Sequence, residues 1–394
     1  MDFEFTPEQE ALKKEFTEFC KEEAKRAPHG WIGGLIAAEE TDEGWAYHRS
    51  VVEKAAVKGW LCLPWPKEYG GQGHGSIEQL IFNEVTAYYR VPALPLHFMT
   101  VAAGILEYGT EDQKKEWLPK IARAEISWAE GLSEPNAGSD LASLTTTAVA
   151  DADDYVINGQ KVWTSGAHRA DHIFILARTD PDRARHRGLT FFINEIGPGI
   201  EFRPLIFMNR SHLYNETFID DFRVPKRNVV GEVNQGWYVM MAGRNFARAN
   251  IGFAAAGKRD LEDLVRYCKE TAHGGEILAK KPLIRHKLVD LAIDYEAALK
   301  FAYYVGWLQS KGKDVAAEAG ACGYYSSELN LRLANTAVEI MGLYGTVKGE
   351  SHWAPLYGKF QELSQWHTGF TIAGGTTEIR KNVIAWTGLK LPRS

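Results

Sequence analysis

The sequence predicts an α+β multidomain fold, with an N-terminal helical domain over 1–125, a central β-sandwich or barrel over 126–233 and a C-terminal helical bundle over 234–394. Three observations predict it. Apolar residues recur at helical spacing through the first third and again from about 236, whereas between them they alternate at the strand period. The 394 residues exceed what one small core organises. Neither strand–helix alternation nor a G-x-G-x-x-G string is present, which argues against a dinucleotide-binding parallel sheet.

The first helix is expected over 6–27, where Thr6-Pro7 gives an N-cap followed by Pro in the first turn. Leu12, Phe16, Phe19 and Cys20 then fall on one face. A second helix is expected over 43–59. The stretch 60–75, with two Pro and four Gly, reads as a loop, and 76–123 as helices with short breaks. The texture changes near 126. Residues 145–166 alternate apolar and polar, with Asn158-Gly159 as a hairpin turn, and the strand pattern continues to about 226. Amphipathic helical segments follow over 236–272, 283–312, 314–342 and 376–388.

Apolar residues make up 45% and charged residues 24%, ordinary values that argue against disorder, collagen or coiled coil. A net charge of −6 gives no basic field for nucleic acid. Cys20, Cys62, Cys268 and Cys322 form no C-x-x-C pair, so they read as reduced thiols of a cytoplasmic protein, with neither disulfide frame nor metal site. The opening carries acids where a secretory leader carries bases, and no apolar run approaches the roughly 20 residues that span a bilayer. Secretion and membrane insertion are both disfavoured.

The chemistry-bearing string is Gly131 to Asp140, GLSEPNAGSD. Its backbone N–H groups and hydroxyls suit a phosphate or the polar edge of a ring. On residues alone a plain surface turn is the commoner reading, because Gly, Ser and Asn clusters are usual loop punctuation.

This string, with INGQKVWTSG over 157–166, resembles the acyl-CoA dehydrogenase family of flavoproteins. The FTPEQ opening, the PKEYGGQG loop, the helical–β–helical order and the GGTTEI string extend the resemblance over essentially the whole chain. It implies FAD. Leu132 and Ser133 match the residues at the flavin ring edge, Ser139 a hydroxyl near the pyrophosphate, Trp163 the aromatic beside the isoalloxazine and Ser165 the hydroxyl near flavin N5. Glu339 and Gly342 match a segment reaching the adenine end of FAD in a neighbouring subunit, where the family carries Gln and a Gly pair. The cation that the family places before the helix near 283 is missing in register, with Lys280 or Lys281 as substitutes.

The family reaction removes an α-proton with a carboxylate and passes the β-hydride to flavin, while hydrogen bonds hold the thioester oxygen. Both familiar positions of that carboxylate lack it here. One is Gly374 and the other Ala247, which stands directly before Arg248. The backbone N–H of Gly374 remains suited to the thioester oxygen. His97, Arg90 and Tyr89 lie in a segment resembling the acyl-pocket wall. His97 is the candidate base, with a hydrogen-bonded core histidine as the alternative. Arg244 and Arg248 are candidates to bind a carboxylate or orient a base.

Three alternatives follow: a substitute base, a substrate that loses its proton from another carbon, or a base-less subunit of an α2β2 assembly. An elimination or oxidase on the same scaffold is a further variant. WPKEYGGQG, VWTSGAHRADHIFILARTDP and GLKLP look like the branch acting on steroid side-chain or other alicyclic CoA thioesters. Small residues at 247, 374 and 375 leave room for a ring. The partners implied are an acyl-CoA, an electron-transfer flavoprotein and a homotetramer or heterotetramer with a paralogous subunit.

Overall fold

The computed structural model describes residues 4–95, 97–247 and 251–393; the side chains of 35, 36 and 243–247 lie outside that description. The chain folds as two compact units that interleave in sequence. One comprises Met1–Ala38, His74–Pro92 and Arg248–Ser394, the other Glu39–Gly73 and Ala93–Ala247.

The first six helices are α1 (Pro7–Ala24), α2 (Gly34–Glu40), α3 (Asp42–Val57), α4 (Ser76–Tyr88), α5 (Phe98–Tyr108) and α6 (Glu111–Ala122). The expected start of α1 is a full capping box. The Thr6 hydroxyl accepts from Gln9 N, while the Gln9 side chain accepts from Thr6 N. Thr110 and Gln113 repeat the device on α6, and there the Gln113 amide also donates to the carbonyls of Arg227 and Val229.

Eight strands follow: β1 (Trp128–Gly131), β2 (Thr147–Asp151), β3 (Asp154–Lys161), β4 (His172–Arg178), β5 (Leu189–Glu195), β6 (Ile200–Leu205), β7 (Tyr214–Pro225) and β8 (Val229–Val230). They form one sheet in the order β6-β7-β3-β2-β4-β5-β8, with β1 running parallel beside β4. Its core gathers Ile157, Ile173, Ile175, Phe192, Phe222 and Val224.

The expected turn at Asn158-Gly159 is not a turn. Both residues lie inside β3, at an irregularity in its pairing with β7, and the hairpin reverses at Ala152-Asp153 instead. Gly159 is required by close approach: a Cβ there would lie 2.5 Å from the Thr146 hydroxyl and 2.8 Å from its Cα.

The remaining helices are α7 (Gly236–Ala247), α8 (Ile251–Glu270), α9 (Pro282–Ser310), α10 (Ala316–Met341), α11 (Lys359–Phe370) and α12 (Thr377–Val383), with a two-strand ribbon, β9 (Ala272–His273) and β10 (Glu276–Ile277), before α9. In their unit α8, α9 and α10 pack with α4 around Leu264, Tyr295, Ala298, Leu329 and Leu333. No described helix is long and apolar enough to cross a membrane.

Candidate active site

In the sheet-bearing unit, one buried ion pair anchors the segment that carries Leu132 and Ser133 against the end of β3. Lys161, the last residue of β3, is fully buried, and its Nζ lies 2.9 Å from Glu134 Oε1. The same carboxylate accepts from Thr146 N at 2.8 Å, from Thr145 N at 2.7 Å and from the Thr145 hydroxyl at 2.8 Å. Burial pushes the Glu134 carboxyl up, but the Lys161 charge and these donors outweigh it and bring it down to about 2. Lys161 also donates to the Leu132 carbonyl at 3.1 Å, and Val162 N donates to the Ser133 carbonyl at 2.8 Å. These bonds bring Leu132 and Ser133 alongside Trp163 and Ser165.

Trp163 leaves the strand at φ 62°, an uncommon conformation for a bulky residue and one that concentrates at functional sites. Its indole is 53% exposed and touches only the edge of Tyr214 among the described rings, at 5.6 Å between centroids. Thr164 N donates to Asn215 O, and the Asn215 amide returns a bond to Thr164 O, so the segment is pinned on its other side. Ser133 and Ser165 are half-buried and Ser139 is exposed. An open aromatic face flanked by hydroxyls and backbone polar groups fits a flat, hydrogen-bonding ring.

His97 directly precedes α5 at φ 56°, and its carbonyl accepts from Thr100 N and Val101 N. Its Nδ1 lies 3.0 Å from Glu130 Oε2 on β1, two residues before Leu132. Its Nε2 is buried with no partner among the described residues.

A second polar group, absent from the sequence reading, follows the Trp163 segment. The rings of His168 and His212 stack at 3.9 Å, with His212 Nε2 2.9 Å from Asn215 Oδ1. Burial, with the neighbouring His212 and Arg169 charges, pushes His168 down to about 4. Glu39 lies 3.7 Å from both His168 Nε2 and Arg169 Nε, its oxygens buried without a hydrogen-bond partner among the described residues. Burial outweighs Arg169 there and pushes its carboxyl up to about 7.

In the other unit, Gly374 and Gly375 take φ 67° and 111° at the entry to α12, whose N-cap is Thr376. Arg380 holds this turn by donating to Ala373 O at 3.2 Å, to Gly323 O at 2.7 Å and to the Ser327 hydroxyl at 3.0 Å. A Cβ on Gly374 would meet nothing nearer than Arg380 Nη2, at 3.9 Å. The position is therefore open, and only its backbone conformation restricts it.

Arg90 is engaged elsewhere. Its guanidinium pairs with Asp260 at 2.6 Å and with Asp263, and Lys359 Nζ reaches the same carboxylates at 2.9 and 2.7 Å. Tyr89 and Arg90 also line a cavity of about 520 Å³ with Trp31, Tyr88, Arg259 and Lys21. Glu339 is exposed and bound to Lys287 at 2.5 Å, and Gly342 ends α10 at φ 60° beside the exposed Leu343. Arg248 and the side chains of Arg244 and Ala247 lie outside the described residues.

The sequence reading missed Glu130, Glu134 and Lys161. A lysine on an inward strand position was the available signal, since a buried ammonium needs a partner.

Comparison with known proteins gives three matches to family models: acyl-CoA dehydrogenase N-terminal domain over 6–125, middle domain over 129–217 and C-terminal domain over 234–389. The chain is 35% identical to acyl-CoA dehydrogenase FadE29 of Mycobacterium tuberculosis, an alignment covering 100% of this chain and 99% of that one. Among solved structures it is similar to the Tcur3481-Tcur3483 steroid ACAD, with TM-score 0.88, 32% identity and full coverage of both chains. It is similar also to the ChsE4-ChsE5 complex from Mycobacterium tuberculosis, with TM-score 0.87, 31% identity and full coverage of both. The chain is thus a flavin oxidoreductase acting on CH–CH donors, with FAD as its cofactor, and it belongs to the acyl-CoA dehydrogenase family.

Proposed function

We propose that this protein dehydrogenates a bulky, alicyclic or steroid-like acyl-CoA thioester, with the α-proton taken by a group other than the usual glutamate. The observation that carries the reading is the turn at Gly374. The position where the family resemblance places a carboxylate has no side chain, and the space beside it is open to 3.9 Å. A relative of matching length named as a steroid ACAD supports the substrate class.

Leu132, Ser133, Ser139, Trp163 and Ser165 would hold FAD, with Glu339 and Gly342 serving the adenine end in a neighbouring subunit of a tetramer. The bound cofactor supplies the acceptor for two electrons, which pass on to an electron-transfer flavoprotein. The protein's own part is alignment and proton handling. The Gly374 N–H donates to the thioester oxygen and stabilises the charge that gathers there. Nε2 of His97, buried and unpartnered among the described residues, accepts the α-proton. Arg248 orients the site, and Arg244 and Ala247 complete the acyl wall. The expected compartment is the cytoplasm.

The test is a panel of linear, branched and alicyclic CoA thioesters followed by flavin bleaching. Bleaching confined to alicyclic thioesters supports the reading, and equal bleaching by straight-chain thioesters removes it. A second reading makes this chain the base-less member of an α2β2 pair. The vacancies at 247 and 374 and the solved ChsE4-ChsE5 complex favour it. Co-expression with a paralogue decides: an isolated chain that bleaches its own flavin is not a silent subunit. Oxygen consumption or sulfite release would mark the oxidase or elimination variant.

A further inference from the structure

We infer that Glu130 is a positioning residue which fixes the tautomer of His97 and so makes Nε2 its proton acceptor; this rests on the reading of His97 as the substitute base.

Four observations converge on the pair. The backbone of His97 is held in a left-handed conformation, with its carbonyl serving as an early acceptor of α5, so the ring cannot follow the helix face. The ring lies edge-on to Phe174, 6.2 Å between centroids, and Phe174 is directly opposite Glu130 in the β1–β4 register. Glu130 Oε2 stands 3.0 Å from Nδ1. The other ring nitrogen is buried and has no partner among the described residues.

A neutral imidazole has one N–H and one lone pair, and a carboxylate only accepts. A hydrogen on Nδ1 faces the carboxylate oxygen 3.0 Å away, and Nε2 is then left to present the lone pair. When Nε2 takes a proton, the α C–H bond of the thioester breaks and an Nε2–H bond forms. The electron pair stays on the substrate, shared between the α-carbon and the thioester oxygen. No oxidant is needed for the proton transfer itself. Glu130 sits two residues before Leu132, so the dyad and the ring-edge segment share one stretch of chain.

The test has two readouts on the purified, flavin-loaded protein. Solid-state 15N NMR of imidazole-labelled protein, with the His97 signal assigned from His97→Gln, should show Nδ1 protonated and Nε2 bare. Glu130→Leu should move that signal toward the Nε2–H form that free imidazole favours. With cyclohexanecarbonyl-CoA in deuterium oxide, His97→Gln should slow α-proton exchange about 10²–10⁴-fold. Glu130→Gln should slow it about 10–100-fold, with KM within twofold. A wild-type spectrum with Nε2 protonated overturns the proposal whatever thioester is used. If His97→Gln is inactive while Glu130→Leu keeps full exchange, Glu130 has no such role although the base assignment stands. Full exchange in His97→Gln removes both. A variant that loses flavin is still decided by the NMR signal.

Discussion

Lys161 Nζ and Glu134 Oε1 meet in the interior of the sheet-bearing unit at 2.9 Å, and between them they fix the segment that carries Leu132 and Ser133. The pair matters less as a source of net stability than as a positioning device, because desolvation offsets most of the attraction.

Removing one member leaves the other charge buried and alone. Lys161→Met is expected to cost about 3–5 kcal/mol and to lower the flavin-to-protein absorbance ratio. Thermal melting and the visible spectrum check it. The acid response follows from Glu134, whose carboxyl lies below its ordinary 4.5 at about 2. That contribution is complete above 4.5 and lost as pH falls toward 2. Glu134→Gln should flatten this part of the stability curve.

Glu39 predicts the opposite slope. Its carboxyl is raised from 4.5 to about 7, so the folded state holds the proton more tightly than the unfolded chain. The stability it gives is complete below 4.5 and disappears as pH rises through 7. Glu39→Gln should be nearly neutral at pH 4 and stabilising at pH 8, by at most about 3 kcal/mol. Denaturant titration at the two pH values decides; a stabilisation equal at both would show that the charge is not the cause.

Arg90→Leu should destabilise its unit by about 3–5 kcal/mol, since Asp260 would keep only Lys359 of its two cations, and Asp263 would lose one of the two that hold its buried Oδ2, keeping Lys359 there and Arg266 at its other oxygen. Burial pushes Asp263 up, but Lys359 and Arg90 together hold it well below the usual carboxylate range. The loss should therefore be full at neutral pH and shrink only at strongly acid pH, where the aspartates take up protons. Melting curves across that range test it.

Gly374→Ala should fold with a cost of about 1–2 kcal/mol, because the φ of 67° strains an L-residue while the surrounding space admits a methyl group. A melting point unchanged from wild type would mean that the turn has a different conformation in solution.

Some helix starts were legible from local signals: Thr6-Pro7 announces α1 and the GGTTE string announces α12, whereas the equally local Thr110–Gln113 box of α6 lay inside a stretch read only as helices with short breaks. Helix α11 was not, because Lys359 and His367 are buried on its inner face and blur the apolar period. Asn158-Gly159 has the composition of a hairpin turn, yet the glycine serves the close passage of Thr146, a contact between strands. The flavin-edge string was readable because its residues are consecutive. Glu130 was not, because its partner lies 33 positions away on a different element. Arg90 resembled a ligand-binding cation for the same reason: its two aspartates are 170 and 173 positions distant.

That engagement has a consequence for selectivity. A guest ending in a free acid group would find the charge at position 90 already matched and would have to displace an aspartate to gain from it. In this cavity the pull on such a group would fall instead to Lys21 and Arg259, beside the flat faces of Trp31, Tyr88 and Tyr89.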